Sequence, residues 1–272
     1  MLSRRPWTID SFTRLLFGVM CALAVASLTG ALLVLALDRA WLGMLGLAGA
    51  APAGGLAGLG FLLLRESWQE LAQEQIQFVS GVTATLVLHA CILVAVVSFL
   101  RANRLDWRTA FGIQLRGAGR GLQLALGVAV GFFLLSLGLM KLSELFWTQL
   151  GFTAEPQAAI EALQAGGILR PLLLAIVALG VAPIMEEIIY RGLLYPTIKQ
   201  LGFPRAAFWG TAVLFAMSHV NLLSFLPLVC FGALLAWLYE TTDNLLAPIA
   251  AHAVFNTINF VLALIVTGPV IP

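Results

Sequence analysis

Long apolar runs without a single charge divide this chain. The first extends over 15–37, between Arg14 and Asp38. A bilayer core about 30 Å thick is crossed by about 20 helical residues, so a run of this length fits a membrane span. At 23 residues it is too long for the apolar region of a signal peptide, and it reads as a retained span. Further apolar runs cover 40–64, 78–100, 121–140, 171–190, 206–220, 222–238 and 245–266, of which only 171–190 holds charges, two glutamates. None alternates polar and apolar residues over about ten positions, as barrel strands do, so the spans are helices. Composition agrees: 61% of the 272 residues are hydrophobic and 10% are charged. A soluble chain of this size cannot cover so much apolar surface with residues that tolerate water. That disfavours a soluble enzyme, a nucleic-acid-binding module and a disordered chain. The expected fold is all-α: a polytopic transmembrane helical bundle of about eight spans, or seven if 40–64 does not cross. The middle of that second run, 49–55, holds only glycine, alanine and proline. It is either a kinked span or a hairpin that stays on one side.

The charges between the runs suggest an orientation. Arg101, Arg104, Arg108, Arg116 and Arg120 stand against Asp106 alone, and the positive-inside rule puts 101–120 in the cytoplasm. The connection 141–170, with Glu144, Glu155 and Glu161, then lies outside, and Arg191, Lys199 and Arg205 return inside. Arg4, Arg5 and Arg14 also favour a cytoplasmic N-terminus, which agrees with the rest if 40–64 does not cross. Trp41, Trp68, Trp107 and Trp147 stand near segment ends, as interfacial aromatics do. The net charge of +2 is too mild to imply a nucleic-acid partner. Cys21, Cys91 and Cys230 are scattered through apolar runs, with neither a disulfide framework nor metal-ligand spacing. The chain divides into 1–120, N-terminal spans and a basic loop, and 121–272, which carries the chemistry-bearing residues.

Ionisable groups inside spans are costly, and they are usually functional or paired. Glu186 and Glu187 follow fifteen apolar residues of the fifth run. Neighbours on a helix point about 100° apart, so the two carboxylates address different surroundings. Glu187 and Arg191 are four apart and can pair on one face, leaving Glu186 for another task. His219 ends the sixth run, and His252 lies in the eighth with Asn256 one turn on. Lipid offers no partner to such groups, so three spans that bury them tend to point them at one another. A carboxylate with imidazoles can take a proton from water, and His252 with Asn256 can donate to a developing oxyanion. Glu with two His also matches a zinc site with an open position, although His-Glu-x-x-His is absent. No Gly-x-Ser-x-Gly occurs either. Each residue taken singly could equally be a polar brace between helices.

Together these residues resemble the CPBP family, the CAAX-prenyl-protease and bacteriocin-processing enzymes also known as type II CAAX proteases or Abi proteins. The matching motifs are Glu-Glu-x-x-x-Arg at 186–191, Phe-x-x-x-His at 215–219 and His-x-x-x-Asn at 252–256. The resemblance covers about residues 170 to 262. It implies an intramembrane endopeptidase acting on a membrane-associated protein or peptide. Glu186 and His219 would activate the water, and His252 and Asn256 would serve the oxyanion. Glu187 and Arg191 would support the site, and Phe215 would pack beside it. The family implies either a metal-free glutamic mechanism, favoured here, or a divalent metal such as zinc on Glu186, His219 and His252. Short loops suggest a multi-pass protein of the bacterial inner (cytoplasmic) membrane, for which a prenylated substrate is not expected. The competing readings are a non-catalytic membrane scaffold or immunity protein of the same fold, and a proton-coupled transporter. The absence of any internal repeat counts against the transporter.

Overall fold

The structure, a computed structural model, describes residues 7–44, 56–152 and 169–267, with side chains at 40–72 and 267 excepted. Arg4, Arg5, the stretch 49–55 and the side chains of Trp41 and Trp68 therefore lie outside the described residues. So do Glu155 and Glu161. The described chain forms eight helices and no strand: α1 Ile9–Met44, α2 Leu56–Ala102, α3 Trp107–Phe111, α4 Gly119–Gln149, α5 Leu169–Gln200, α6 Pro204–Met217, α7 Leu222–Thr242 and α8 Leu246–Thr267. The protein is an all-α, multi-pass membrane bundle. Among the described residues six helices are long and apolar enough to cross: α1, the Gln73–Ala102 part of α2, α4, α5, α7 and α8.

The difference from eight runs has two causes. The run 40–64 builds no helix of its own among the described residues, because its first residues end α1 and its last begin α2. The run 206–220 folds as α6, whose 14 residues rise only about 21 Å. The chain turns there at Val220, in the left-handed region at φ 48°. Asn221 then starts α7 by accepting the Ser224 N–H at 2.9 Å, an N-cap bond that commits the chain to a new helix.

The chain forms two compact units. One, Leu16–Val94, comprises most of α1 and α2. On α1, Leu16, Met20, Leu23, Leu28, Leu32 and Leu35 are all exposed, as suits a helix solvated by lipid. The other unit, Met1–Leu15 with Ala95–Pro272, contains α3 to α8. Its packing places small residues inside and large ones outside. On α4, Ala125, Ala129, Phe132 and Ser136 form a buried stripe, while Leu126, Val130, Leu134 and Leu137 are exposed. Lipid exerts no hydrophobic pressure between helices, so close backbone approach and dispersion hold them together. Phe132 stacks on Phe231 of α7 with ring centroids 5.1 Å apart. Ala247 and Ala251 of α8 complete the cluster.

Several arginine-bearing segments meet at one end of this unit. The Trp7 indole donates to Thr197 Oγ1 at 3.2 Å, and its ring stands edge-on to Phe99, 5.5 Å away. Asn244 donates to the Gln114 carbonyl at 2.9 Å. Lys199 of α5 pairs with Glu240 of α7. Thus the segment before α1 and the last turns of α2 both lie at this end of the unit.

Candidate active site

The site is built on α5, whose ladder is irregular. Ile176–Val181 and Ile188–Leu194 are π-helical, and the α-helical piece Ala182–Glu187 lies between them. Prolines explain where these stretches end. Ala182 donates to the Val177 carbonyl and Tyr195 to the Tyr190 carbonyl, each five residues back. The next donors in that register would be Pro183 and Pro196, and proline has no N–H. The Ala178 carbonyl is thereby left for another partner, and Asn256 of α8 supplies it with an Nδ2 donor at 2.8 Å. An orphaned backbone carbonyl in a membrane is costly, so this bond ties α8 to α5.

Glu187 and Arg191 lie one turn apart and are fully buried. Arg191 Nη1 donates to Glu187 Oε1 at 2.8 Å, and its Nη2 donates to the Gly232 carbonyl of α7 at 2.8 Å. A Cβ on Gly232 would come within 3.0 Å of the Ala212 Cα, so only glycine lets α6 and α7 approach this closely. The guanidinium also lies 4.7 Å from the Phe215 ring centroid, a cation–π distance. A buried carboxylate and guanidinium each need the other, because either alone would carry an uncompensated charge.

Glu187 reaches further than its own helix. Its Oε1 is 3.0 Å from His252 Nδ1. The carboxylate accepts, so Nδ1 carries the proton, and Nε2 is left with its lone pair while the ring is neutral. That Nε2 faces Glu186 Oε2 at 3.9 Å. The imidazole is held edge-on between two rings, Phe215 at 5.5 Å and Phe231 at 5.6 Å. Glu186 is less enclosed, with 24% of its side chain exposed, yet its Oε2 is buried without a hydrogen-bond partner. The two adjacent carboxylates therefore do face different surroundings. Each carboxylate keeps its Oε2 buried without a hydrogen-bond partner, but Glu187 is bound through Oε1 to Arg191 and His252, whereas Glu186 Oε2 faces His252 Nε2.

His219 lies on the exposed turn after α6. Its Nδ1 is 2.8 Å from the Phe215 carbonyl, so Nδ1 donates and Nε2 is again the acceptor. Its ring stands 4.8 Å from that of Phe215, which thus touches both histidines. The structure brings Glu186, Glu187, Arg191, Phe215 and His252 together, whereas His219 joins only through Phe215, and Asn256 is engaged with Ala178. Among the described residues no three of His, Cys, Asp and Glu form a metal-holding set. Glu186 and His252 supply two donors, and His219 stands apart from them, so the zinc set Glu186, His219 and His252 is not assembled in this arrangement. Four contributors were not singled out from the sequence: Pro183, Phe231, the Gly232 carbonyl and Tyr190. Tyr190 packs edge-on to Phe215 at 5.5 Å. Pro183 alone carried a readable signal, as a proline inside a span three residues before the carboxylates.

A multi-pass helical membrane protein that converges a free carboxylate and an oriented imidazole within its bilayer-crossing part has the outline of an intramembrane hydrolase. Residues 168–258 match the family described as type II CAAX prenyl endopeptidase Rce1-like, a range that includes every residue of the site. Over 180 residues the chain is 31% identical to YdiL of Bacillus subtilis (strain 168), a protein named as a candidate membrane peptidase. The match covers 63% of this chain and 71% of YdiL. No solved structure matches. The chain belongs to the type II CAAX prenyl endopeptidase Rce1-like family, and is an integral membrane protein of a protease family.

Proposed function

We propose that this protein hydrolyses a peptide bond of a membrane-associated protein or peptide, with Glu186 as the base that takes a proton from water. One observation carries the reading: the buried, unpartnered Glu186 Oε2 facing His252 Nε2 at 3.9 Å. That gap is too long for a direct hydrogen bond. It is short enough for one water to donate to both acceptors, which directs the water's own lone pair outward as a nucleophile. His252 then acts as the second acceptor that aims the water, and Glu187 with Arg191 hold its tautomer. Glu186 passes the proton on to the departing amine. His219, an acceptor through its own Nε2, reaches the proton only by moving from its place beside Phe215, and the remaining amide hydrogen of Asn256 is available to the oxyanion. Relative to the expectation from the motifs, His252 thus moves toward the water.

No step here runs through a metal. A divalent ion on Glu186 and His252 would need a third donor brought in by movement of His219. The substrate class follows from the setting, in which a site between membrane helices meets chains already in the bilayer. Prenylation of that substrate is not part of the proposal. The protein is expected in the bacterial inner membrane.

The test compares wild type with Glu186→Gln, purified in detergent, on a library of membrane-protein C-terminal peptides read by mass spectrometry, with and without a chelator. Loss of a general base lowers turnover by about 10²–10⁴, while melting should be unchanged because Glu186 makes no hydrogen bond to lose. Undiminished cleavage by Glu186→Gln would remove Glu186 from the chemistry. The chelator arm decides whether a metal takes part. If the carboxylate cluster only braces the helices, as in the scaffold reading, neither protein cleaves anything.

A further inference from the structure

A cavity of about 320 Å³ opens beside the start of α4, between the connection from α3 and the α7–α8 turn. It shares no residue with the carboxylate–histidine site, and its lining includes Arg116, Arg120, Gly121, Leu122, Thr242 and Asn244. No carboxylate lines it. Among the described residues neither arginine takes part in an ion pair. Three neutral polar side chains of the wall are already engaged: Asn244 donates to the Gln114 carbonyl and accepts from the Leu246 N–H, Thr242 donates to the Leu238 carbonyl, and Thr241 donates to the Trp237 carbonyl. The charged donors in this cavity are the two guanidinium groups. Two like charges lie four residues apart beside a concave space, and an anion would relieve their repulsion. The first turn of α4 adds to this field, since Ala118 at its N-cap makes no side-chain bond to the free N–H groups.

The surroundings indicate which anion. Leu122, itself part of the lining, is 42% exposed, Leu126 one turn on is 53% exposed, and Leu115 just before Arg116 is 83% exposed. Leu122 lines the cavity together with the arginines, and Leu126 continues its face of α4 one turn further along a bilayer-crossing helix. A free phosphate would use the arginines and leave these leucines unexplained. A phospholipid would use both, with its headgroup at the arginines and its chains along the leucines. The arginine-rich connection belongs to the cytoplasmic side by the positive-inside rule, the leaflet whose anionic lipids are drawn to basic pockets between helices. We propose that this cavity binds the phosphate headgroup of an anionic phospholipid of the cytoplasmic leaflet, its acyl chains lying along Leu122 and Leu126. The site is independent of the hydrolytic reading.

The full chain is reconstituted in phosphatidylcholine nanodiscs containing a minor share of phosphatidylglycerol, and the lipids it retains are measured by native mass spectrometry. Wild type, R116Q/R120Q and R101Q/R104Q are compared. The last pair carries the same charge change on arginines of the same connection that do not line the cavity. Wild type should retain phosphatidylglycerol in preference to phosphatidylcholine. R116Q/R120Q should abolish that preference, and R101Q/R104Q should stay within about threefold of wild type. Equal losses in the two variants would reduce the effect to diffuse attraction and overturn the site. A wild type without preference, which needs no variant to fold, would overturn it too. In a last arm inorganic phosphate is added at millimolar concentration. Displacement of the lipid signal would assign the arginines to free phosphate and refute the lipid, and persistence of the signal supports it.

Discussion

Replacing Arg191 by methionine isolates the electrostatic strut of the site. The side chain is fully buried and donates to Glu187 and to the Gly232 carbonyl, each at 2.8 Å. Methionine keeps most of the volume and removes the charge and both bonds. Glu187 is then buried with His252 as its hydrogen-bond partner. Breaking a buried pair by deleting one member costs about 3–5 kcal/mol, most of it the penalty of the orphaned charge. Against a typical total stability of about 5–15 kcal/mol, the yield of folded protein should fall visibly. In Glu187→Met/Arg191→Met both charges are gone, and the main loss is the Nδ1 partner of His252, worth about 1–3 kcal/mol. The double variant should therefore be more stable than Arg191→Met alone. The assay is reversible denaturant or thermal unfolding in matched lipid, followed by tryptophan fluorescence and checked by size-exclusion chromatography. A double variant whose loss equals the sum of the two single losses would refute the reasoning, because the penalty would then not come from an unpaired charge.

Asn256→Ala should cost about 1–3 kcal/mol by orphaning the Ala178 carbonyl. Adding Pro183→Ala, which restores the missing N–H, should recover part of that loss in the same unfolding assay. Gly232→Ala should destabilise by about 1–3 kcal/mol, because its Cβ would press on the Ala212 backbone at 3.0 Å. Gly232→Ala should also lower cleavage per folded molecule by shifting the carbonyl that holds Arg191, and unchanged specific activity would argue against that coupling. On the exposed connection, the Thr109 hydroxyl and N–H hold the Asp106 carboxyl below its ordinary value of 3.8. A depressed carboxyl stabilises the folded form above its unfolded value and loses that contribution as pH falls through the folded one. Hydrogen exchange at the Thr109 amide should therefore speed up, relative to intrinsic rates, below about pH 4, and Asp106→Asn should remove that dependence.

The residues of the site were legible because a membrane makes polarity conspicuous. Glu186, His219 and His252 stand out in spans where nearly every neighbour is apolar, and burial without water forces such groups toward partners. The spacing of Glu187 and Arg191 announced their pair, since four residues return a helix to the same face. The all-helical class followed from run length for the same reason. The crossing number was less legible, because apolarity reports residence in lipid and not the length of helix before a turn. Thus 206–220 is apolar enough for a span and folds as the short α6.

Other features depended on contacts between residues distant in sequence. That Glu187 Oε1 serves Arg191 and His252 at once, that Asn256 is drawn to the Ala178 carbonyl, and that Phe215 touches both histidines follow from how α5, α6 and α8 pack. No periodicity within one helix encodes the distance to another. Sequence by itself determined which groups must be hidden from lipid, through the cost of burying charge. Only the tertiary structure decided which of them are neutralised by one another and which, like Glu186, keep an oxygen uncommitted, because pairing depends on angles and separations set by packing.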